Sequence, residues 1–441
     1  MSVIGAKLKI AHWSELAPRD RKTLLQRPGS SQQDIGEAVA EIIRKVRSGG
    51  NQALLALSRE LDQAQSSQLE YGSTEMQAAF DSIDPTLFQA IQDAMSRIEA
   101  FHKADIPANR KVETAPGLNC ELRYQALSPV GLYIPGGSAP LVSTVLMLAI
   151  PARLAGCKEV IMCSPPARNG DIPDEILAAA YICGVDRIFS AGGAQAVAAM
   201  AYGSESIPRC VKIFGPGNAW VTEAKQQVSQ DPEGAAIDMP AGPSEVLVIA
   251  DGDANPEFIA WDLLSQAEHG PDSQVILLTD SAALAASVIE KLKQLAADTS
   301  RAAILEKSLG EARVICVDSL SEALQISNDY APEHLIINSS DAVELAEQVE
   351  NAGAVFIGPW TPESLGDYCS GPNHVLPTYG WARSFGALGV SDYMRRMTLQ
   401  QASQSALLSV GPTAQTLAAV EGLDAHGMAV TVRLRQAGRQ G

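Results

Sequence analysis

The sequence predicts an α/β protein built from two similar Rossmann-like units, each a mostly parallel sheet with helices around it. Two series of short β-branched runs occur along the chain, and amphipathic helical stretches separate the runs in both series. That alternation is typical of βαβ units and of parallel sheets. The length of 441 residues also suits two or three domains of ordinary size.

A helical segment is predicted before the first series, over residues 31–129. Its stretch "QDIGEAVAEIIRKVRSGG" has helical apolar spacing and ends at Gly49-Gly50, while Asp84-Pro85 predicts an N-cap followed by proline in the first turn. We expect this segment to join the second α/β unit. Residues 1–30 are expected to form a separate N-terminal segment.

The first series of strands is predicted within residues 130–243, and the second within residues 244–385. The runs of the first series are "VGLYIPGG", "EVIMCSPP", "RIFSAGG" and "VKIFGPG", and those of the second are "SEVLVIAD", "SQVILLTD", "ARVICVD", "EHLIINS" and "GAVFIGP". The two series share an arrangement of elements but no residue-level repeat, so a duplication is only suggested. Residues 386–441 return to helical periodicity and predict a small helical C-terminal arm that serves dimerisation.

Composition and charge argue against nucleic-acid and membrane partners. The chain has 33 Lys and Arg against 51 Asp and Glu, and the net charge of −18 repels phosphate backbones. The longest apolar run is interrupted at Pro151 and Arg153, well short of the ~20 residues of a membrane span. The N-terminus has no continuous apolar stretch like that of a signal peptide. We therefore expect a soluble, cytoplasmic protein.

The seven cysteines are an odd number without a C-x-x-C pair, and several lie in apolar runs. We expect them to be reduced and mostly buried. A catalytic thiolate stays open as an alternative, although no cysteine has a neighbouring histidine.

Three glycine-rich turns follow predicted strands of the first unit: "YIPGG", "AGGAQA" and "FGPGNAW". Backbone N–H groups at such strand-to-helix turns can bind the pyrophosphate of a dinucleotide. None fits the G-x-G-x-x-G fingerprint, because Gly215 and Gly217 have the right spacing but Trp220 occupies the third position. On these residues alone, tight turns and a cofactor site both remain open.

Four short segments contain four of the six histidines, each within seven residues of an acidic side chain. They are "SQAEHG" with Gln266 and His269, "APEHL" with Glu333 and His334, "LGDYCSGPNHVLPT" with Asp367 and His374, and "EGLDAHG" with Glu421 and His426. Taken singly, each segment has a structural explanation such as a helix cap, a solvated ion pair or a buried imidazole. Taken together, two histidines, a carboxylate and an amide oxygen could bind a divalent metal such as zinc. A Glu–His pair beside the metal could supply acid–base catalysis.

The chain resembles the histidinol dehydrogenase family along nearly its whole length. The motifs that carry the resemblance are "GPGNAWVTEAK", "DMPAGPSEVLVIAD", "DLLSQAEHGPDSQ", "APEHL", "GDYCSGPNHVLPT" and "EGLDAHGMAVT". The resemblance implies a zinc-dependent and NAD-dependent homodimer of the last two steps of histidine biosynthesis. Such an enzyme oxidises L-histidinol to L-histidine through L-histidinaldehyde and uses two NAD per turnover.

Carried onto the matching positions, the resemblance also implies the site residues. One Zn²⁺ per subunit would be ligated by Gln266, His269, Asp367 and His426, with His426 supplied by the partner chain through the C-terminal arm. The implied substrate contacts are Ser244, Gln266, His269, Glu333, His334, Asp367, His374, Glu421 and His426. The implied NAD contacts are Tyr133, Gln195 and Asn218, which lie in the three glycine-rich turns.

The acid–base pair that matches the family is Glu333 and His334. In this scheme His334 removes the hydroxyl proton, since an imidazole with a pKa of about 6.5 can both take and release a proton near neutrality. Glu333 activates the water that hydrates the aldehyde before the second hydride leaves. Zinc would bind the amino and imidazole nitrogens of the substrate and so orient it, rather than polarise its hydroxyl.

Three alternatives differ in what they ask of these residues. A relative in the same superfamily would oxidise another small polar alcohol, and Glu421 and His374 are the positions expected to discriminate the substrate. A zinc hydrolase would use Glu333 to activate water and would turn over without nicotinamide. A two-domain binding protein without chemistry would need all four histidine segments to be caps and core.

Overall fold

The structure, a computed structural model, describes residues 8–27, 32–62, 68–136, 139–167, 169–240 and 242–438. Its strands are β1 (Ile10–His12), β2 (Glu70–Tyr71), β3 (Arg110–Ala115), β4 (Leu118–Ala126), β5 (Val130–Tyr133), β6 (Val160–Ser164), β7 (Arg187–Ser190), β8 (Lys212–Phe214), β9 (Ala236–Ile237), β10 (Glu245–Ala250), β11 (Gln274–Thr279), β12 (Arg313–Cys316), β13 (His334–Asn338), β14 (Ala354–Ile357) and β15 (Met394–Ala402).

The helices of the described ranges are α1 (Pro18–Leu24), α2 (Gln32–Leu61), α3 (Ser73–Ser82), α4 (Pro85–Ala104), α5 (Val142–Ala155), α6 (Asp174–Cys183), α7 (Gly193–Tyr202), α8 (Ala219–Gln230), α9 (Pro256–Ala267), α10 (Ala282–Leu295), α11 (Ala302–Ser308), α12 (Leu320–Tyr330), α13 (Ala342–Ala346), α14 (Glu363–Tyr368), α15 (Gln404–Val420) and α16 (Asp424–Ala437). Short 3-10 helices cover Trp13–Glu15, Ala296–Asp298, Leu309–Glu311, Trp381–Arg383 and Val390–Tyr393.

All nine predicted runs form strands, and they build two six-stranded sheets of the same plan. The first sheet has the order β2-β7-β6-β5-β8-β9 and the second β1-β12-β11-β10-β13-β14. In each sheet the first strand of its series lies at the centre, with the next two strands on one side and the later ones on the other. Every pairing is parallel except that of β2 with β7. The predicted fold class is confirmed.

The two predicted helix boundaries are also confirmed. The backbone leaves helical geometry at Gly50, where φ is 50°, so α2 is kinked at the glycine pair. At the start of α4 the Asp84 side chain accepts hydrogen bonds from the N–H groups of Thr86 and Leu87. Pro85 takes the first helical position, where a missing N–H costs no intrahelical bond.

The helices between residues 32 and 104 pack on the first unit, so their predicted attachment to the second unit is wrong. Helix α2 contacts α7 and α8, α3 contacts α6, and α4 contacts α5. Buried side chains such as Val46, Met76 and Ile98 belong to the cores around the first sheet. Helical periodicity predicts an apolar face, but it does not say which sheet covers that face. The second unit instead receives the N-terminal segment, through β1 and the buried Trp13.

A small antiparallel sheet with the order β15-β4-β3 occupies stretches that the sequence assigns to helical parts. The expectation of helix is therefore wrong at residues 110–126 and at residues 394–402. Side chains of β3 and β15 are mostly exposed, so these runs lack the buried apolar pattern on which strand prediction depends. The C-terminal arm thus begins with a strand and continues as the helical pair α15 and α16, which contact each other.

The cysteines agree with the expectation from the sequence. All seven cysteines are free, and Cys163, Cys183, Cys210 and Cys316 are buried. Burial raises the pKa of the Cys157 thiol to about 11, which disfavours a thiolate there. Among the described residues, no helix combines the length and apolar character that crossing a membrane requires.

A buried asparagine joins the loop after β14 to a helix of the first unit. Helix α5 runs through Pro151, which has no N–H, so the carbonyl of Met147 one turn earlier loses its helical donor. The Asn373 side chain supplies the missing donor, with Nδ2 at 2.6 Å from the Met147 carbonyl oxygen. Its Oδ1 accepts from the N–H of Val375. The proline and the asparagine therefore form a matched pair across two parts of the fold.

We predict that Asn373→Ala lowers the free energy of unfolding by about 1–3 kcal/mol, because it leaves the buried Met147 carbonyl without a donor. Denaturant unfolding of a double-mutant cycle with Pro151→Ala checks this reason. Alanine restores an N–H at position 151, so the cost of Asn373→Ala should be smaller in that background. An equal cost in both backgrounds would contradict the pairing.

Stability should also depend on pH through His102, a buried histidine of α4 whose two ring nitrogens have no hydrogen-bond partner among the described residues. Burial lowers its pKa below the ordinary value. The unfolded chain therefore binds a proton more readily than the folded chain. The neutral ring makes its full contribution to the free energy of unfolding above about pH 6.5. Below that pH the contribution falls, by up to about 1.4 kcal/mol per pH unit.

We expect His102→Gln to flatten this part of the pH dependence, as measured by denaturant unfolding between pH 7.5 and 5. The control is His12→Gln, because His12 is exposed. The two variants should therefore differ in slope, and identical slopes would remove His102 from this role.

Candidate active site

The backbone of Glu245 binds both members of the predicted acid–base pair. Glu333 directly precedes β13 and His334 opens it, and β13 pairs in parallel with β10, which begins at Glu245. The N–H of Glu245 donates to Glu333 Oε2 at 2.8 Å, and the Glu245 carbonyl lies 3.1 Å from His334 Nδ1. One residue of the neighbouring strand therefore positions the carboxyl and the imidazole together.

The Glu245 side chain is itself buried and is held by an ion pair with the partly buried Arg27. Arg27 Nε lies 2.9 Å from Oε1 and Nη2 lies 2.8 Å from Oε2, and the guanidinium stacks 3.9 Å from the ring centroid of Tyr330. The backbone N–H of Tyr379 also donates to Glu245 Oε1. Removing one partner of such a pair leaves an uncompensated buried charge, so the pair fixes the start of β10 firmly.

The contact with Glu245 determines which nitrogen of His334 carries the proton. A carbonyl oxygen only accepts, so Nδ1 must be the protonated nitrogen. His334 Nε2 is buried, has no hydrogen-bond partner in the part of the chain that the structure describes, and lies 3.9 Å from Asp367 Oδ1. Burial lowers the pKa of His334 to about 3, so the ring is neutral with its lone pair on Nε2, and it is a weaker base than the imidazole of pKa about 6.5 that the sequence-based scheme expects. This is the form that can accept a proton.

Glu333 lies in a fully enclosed position beside the histidine. Burial, followed by the nearby carboxylates of Glu245 and Asp367, raises the pKa of Glu333 well above its usual range. Gly353, the residue before β14, packs closely against the backbone of Glu333. A Cβ on Gly353 would lie only 2.6 Å from the Glu333 carbonyl oxygen. Ala331, two residues earlier, has a φ of 54°, a backbone conformation that residues other than glycine rarely adopt.

Candidate metal ligands converge on the same place. One ligand atom from each of His269, Glu363 and Asp367 lies within 4.8 Å of the others. Gln266, three residues before His269, is fully buried at the end of α9, and neither atom of its amide has a hydrogen-bond partner among the described residues. Nitrogen and oxygen donors in this combination suit a divalent ion of borderline softness such as zinc.

Two further predicted substrate residues border this cluster. His374 Nδ1 lies 2.9 Å from the Asp367 carbonyl, so Nδ1 donates and Nε2 is left as an acceptor. Burial lowers the pKa of His374 to about 4 and raises that of Asp367 to about 6. Ser244 lies next to Glu245 at the amino end of β10.

The structure does not bring Glu421 and His426 to this cluster. Glu421 directly follows α15 and His426 lies in α16, and both are exposed. Among the described residues, neither side chain forms a hydrogen bond or an ion pair with the other predicted site residues. Of the nine predicted substrate residues, five lie close to one another, namely His269, Glu333, His334, Asp367 and His374. Gln266 and Ser244 precede members of this region in the chain, and Glu421 and His426 lie on the surface.

Three functional candidates are missing from the sequence-based set. Glu245 opens the apolar run "SEVLVIAD", and an acidic residue at a buried position requires a partner. That partner, Arg27, is too distant in sequence to be inferred. Glu363 had a detectable signal, since it precedes Asp367 by four residues and so shares its face of a helix.

The predicted NAD residues lie at the carboxyl ends of strands in the first sheet. Tyr133 ends β5, and its hydroxyl accepts from the N–H of Gly193 at 3.0 Å. Gln195 Nε2 donates to Asp62 at 3.0 Å, and the Asn218 side chain caps the start of α8. All three side chains are thus engaged within the chain. The second glycine of "YIPGG" lies outside the described residues.

The glycine-rich turn after β8 fits closely against β5. Gly215 has a φ of 116°, and a Cβ there would lie 2.2 Å from the Tyr133 carbonyl oxygen. The centre of the sheet, where β5 and β8 pair, is the point at which strand order reverses. Ligands of open α/β sheets bind at the carboxyl ends of strands at such a point. The acid–base pair, in contrast, lies at the amino ends of β10 and β13.

Comparison with known proteins identifies the family. Residues 25–434 match the family model described as histidinol dehydrogenase. A histidinol dehydrogenase of Vibrio parahaemolyticus is 51% identical over 425 residues, which cover 96% of this chain and 98% of the relative. One from Vibrio cholerae is 50% identical with the same coverage. The crystal structure of histidinol dehydrogenase from Elizabethkingia anophelis aligns with a TM-score of 0.92 at 41% identity, covering 98% of this chain and 99% of that one. The chain therefore belongs to the histidinol dehydrogenase family and is an oxidoreductase.

Proposed function

We propose that this chain oxidises L-histidinol to L-histidine through L-histidinaldehyde, with two NAD per turnover, in the last two steps of histidine biosynthesis. The observation that carries the proposal is the position of His334 between Glu333 and the candidate metal ligands. Its Nδ1 lies 3.6 Å from Glu333 Oε2, and its Nε2, which has no hydrogen-bond partner among the described residues, lies 3.9 Å from Asp367 Oδ1. An alcohol releases hydride readily only as its oxygen loses a proton, and this nitrogen is placed to take that proton.

Zinc fits the donor set that the chain offers. The buried amide of Gln266, which lacks a hydrogen-bond partner within the described ranges, and the convergence of His269 with Asp367 support a metal there. With His426 of the partner subunit these residues would hold one Zn²⁺ per subunit. Bound zinc would supply orientation, by holding the amino and imidazole nitrogens of the substrate.

The residues of the first sheet support NAD binding less specifically than the residues near the second sheet support zinc binding. The glycine turns after β5, β7 and β8 bring backbone close to the carboxyl ends of the strands, where Tyr133, Gln195 and Asn218 lie. Their side chains are already hydrogen-bonded within the chain, so their contribution would come from shaping the turns as well as from direct contact. Bound NAD would supply the hydride acceptor.

The proton steps are divided between the two residues of the pair. His334 Nε2 takes the hydroxyl proton in each oxidation, first from the alcohol and then from the hydrated aldehyde, while Nδ1 stays bonded to the Glu245 carbonyl. Glu333 positions and deprotonates the water that adds to the aldehyde, with Oε2 held by the Glu245 N–H. Burial raises the pKa of Glu333 well above its usual range, which makes its carboxylate a stronger base.

The proposed assembly is a homodimer in which the C-terminal arm completes the partner's site. The helical pair α15 and α16 exposes several large apolar side chains, namely Leu408, Leu417, Val420, Leu423, Met428 and Val432. Glu421 and His426 lie in the same exposed region. An apolar surface of this kind is typical of an interface between subunits.

The stoichiometry of the reaction tests the proposed function. Zinc-loaded protein is given L-histidinol with excess NAD, and NADH formed per histidinol consumed is counted from the absorbance of the reduced nicotinamide. We expect two. A ratio of one would mean that the reaction stops at the aldehyde. No turnover would mean that L-histidinol is not the substrate and that a different polar alcohol should be tested. Turnover of an ester or amide without nicotinamide would indicate a hydrolase instead.

Glu333→Gln should separate the two half-reactions. The amide can still accept from the Glu245 N–H but cannot deprotonate water, so aldehyde oxidation should fall by about 100-fold or more beyond any loss in alcohol oxidation. Single-turnover rates with histidinol and with histidinaldehyde measure both steps. His334→Asn is the matched contrast, because it should depress both. Equal losses in the two steps for Glu333→Gln would remove Glu333 from the water-activating role.

A further inference from the structure

Two charged residues of the sequence motifs have no part in the proposed chemistry. Lys225 ends "GPGNAWVTEAK" on α8, and Asp238 opens "DMPAGPSEVLVIAD" just after β9. Lys225 Nζ forms an ion pair with Asp238 Oδ1, and the two side chains are only 6% and 1% exposed. Desolvation offsets much of the attraction between such buried charges, so a buried ion pair is weak evidence for a purely stabilising role.

The pair binds both backbone polar groups of Gly215. The Gly215 N–H donates to Asp238 Oδ2 at 2.7 Å, and Lys225 Nζ donates to the Gly215 carbonyl at 2.8 Å. Asp238 Oδ1 also accepts from the N–H of Met239 at 2.8 Å, which fixes the carboxylate at the end of its own strand. Gly215 therefore cannot rotate about its backbone bonds without taking a hydrogen bond from one of two buried charges.

Gly215 sets the path of the turn that leads to Asn218. With a φ of 116°, Gly215 lies against the Tyr133 carbonyl, where a Cβ would come within 2.2 Å of the oxygen. Gly217 packs against α8, with its Cβ position 2.3 Å from a methyl group of Val221. From the buried Gly215 the chain emerges at the exposed Asn218. The ion pair thus acts at the buried end of a turn whose open end is one of the predicted NAD contacts.

We propose that Lys225 and Asp238 are positioning residues for NAD. They hold the turn of residues 215–218 in the shape that places Asn218 and Tyr133 beside the cofactor. This inference rests on the NAD binding of the proposed function and deepens it. Neither charged side chain needs to touch NAD, because both are almost fully buried. Their opposite charges balance, so the effect comes from the geometry of the turn and not from attraction for the phosphates of NAD.

Lys212 provides a matched control in the same sheet. It opens β8, three residues before Gly215, and its Nζ donates to the Asp392 carbonyl at 2.9 Å. Like Lys225, it is a lysine bonded to a backbone carbonyl, but that carbonyl lies outside the turn. Lys212→Met therefore removes a comparable charge and hydrogen bond without releasing Gly215.

The test separates cofactor binding from the other steps. The dissociation constant of NADH, from its fluorescence, and the KM for NAD and kcat at saturating L-histidinol are measured for the full-length, zinc-loaded wild-type protein, Lys225→Met, Lys225→Arg, Asp238→Asn and Lys212→Met. Denaturant unfolding and zinc content show that each variant is folded.

We expect Lys225→Met to weaken NADH binding and to raise the KM for NAD by about 10-fold or more, the size of one lost hydrogen bond to a charged group. The kcat should change by less than about 3-fold, since an interaction that holds NAD equally in the ground and transition states changes KM alone. Lys225→Arg keeps a donor for the Gly215 carbonyl and should restore part of the affinity. Asp238→Asn keeps an acceptor for the Gly215 N–H and should have an intermediate effect, and Lys212→Met should bind NADH like the wild type.

The outcomes separate this inference from the proposed function. Wild-type NADH affinity and KM in Lys225→Met would overturn the positioning role, while leaving NAD as the cofactor. Equal losses in Lys225→Met and Lys212→Met, or a loss of zinc content and kcat together with NADH affinity, would also overturn it, because the pair would then only support the fold. If Lys225→Met does not fold, the same comparison is decided by Asp238→Asn. A wild-type protein that neither binds NADH nor reduces NAD would overturn both the inference and the cofactor of the proposed function.

Discussion

The peptide groups of Glu245 are the constraint on which the site depends. Its N–H holds Glu333 and its carbonyl holds His334, so the acid–base pair is set by the pairing of β10 with β13. The ion pair with Arg27 anchors the same residue from the other side. A catalytic arrangement built on the amino ends of two interior strands keeps its geometry better than one built on loops, because the backbone cannot move without breaking the hydrogen bonds of the sheet.

The second constraint is the burial of several acidic groups in a small volume. Burial, with the neighbouring carboxylates, raises the pKa of Glu333 and of Glu363 well above the usual range, and burial raises that of Asp262 to about 7. Such groups cannot all be ionised together without a compensating charge. A divalent cation at the convergence of His269 and Asp367 would supply that charge and stabilise the ionised forms. The metal and the acid–base pair are thus coupled through electrostatics.

The sequence predicts the two sheets well because buried parallel strands read as continuous apolar runs. It fails at β3 and β15, whose exposed side chains give no such signal, and it assigns the helices of residues 32–104 to the wrong unit. The candidate site likewise has residues that the sequence reveals and residues that it does not. Histidine and acidic residues stand out in short motifs, whereas Glu245 with its partner Arg27 depends on contacts between residues far apart in the chain. The family resemblance added roles that spacing could not supply.

The most direct test of this account is the tautomer of His334 in the zinc-loaded protein at pH 7. With ¹⁵N in histidine alone, the six histidines give few enough nitrogen signals to resolve, and loss of one set in His334→Asn identifies His334. The account predicts a neutral ring with the proton on Nδ1 and an unprotonated Nε2. A proton on Nε2, in either the other neutral tautomer or the imidazolium, would contradict it, because the backbone of Glu245 would then not determine the base.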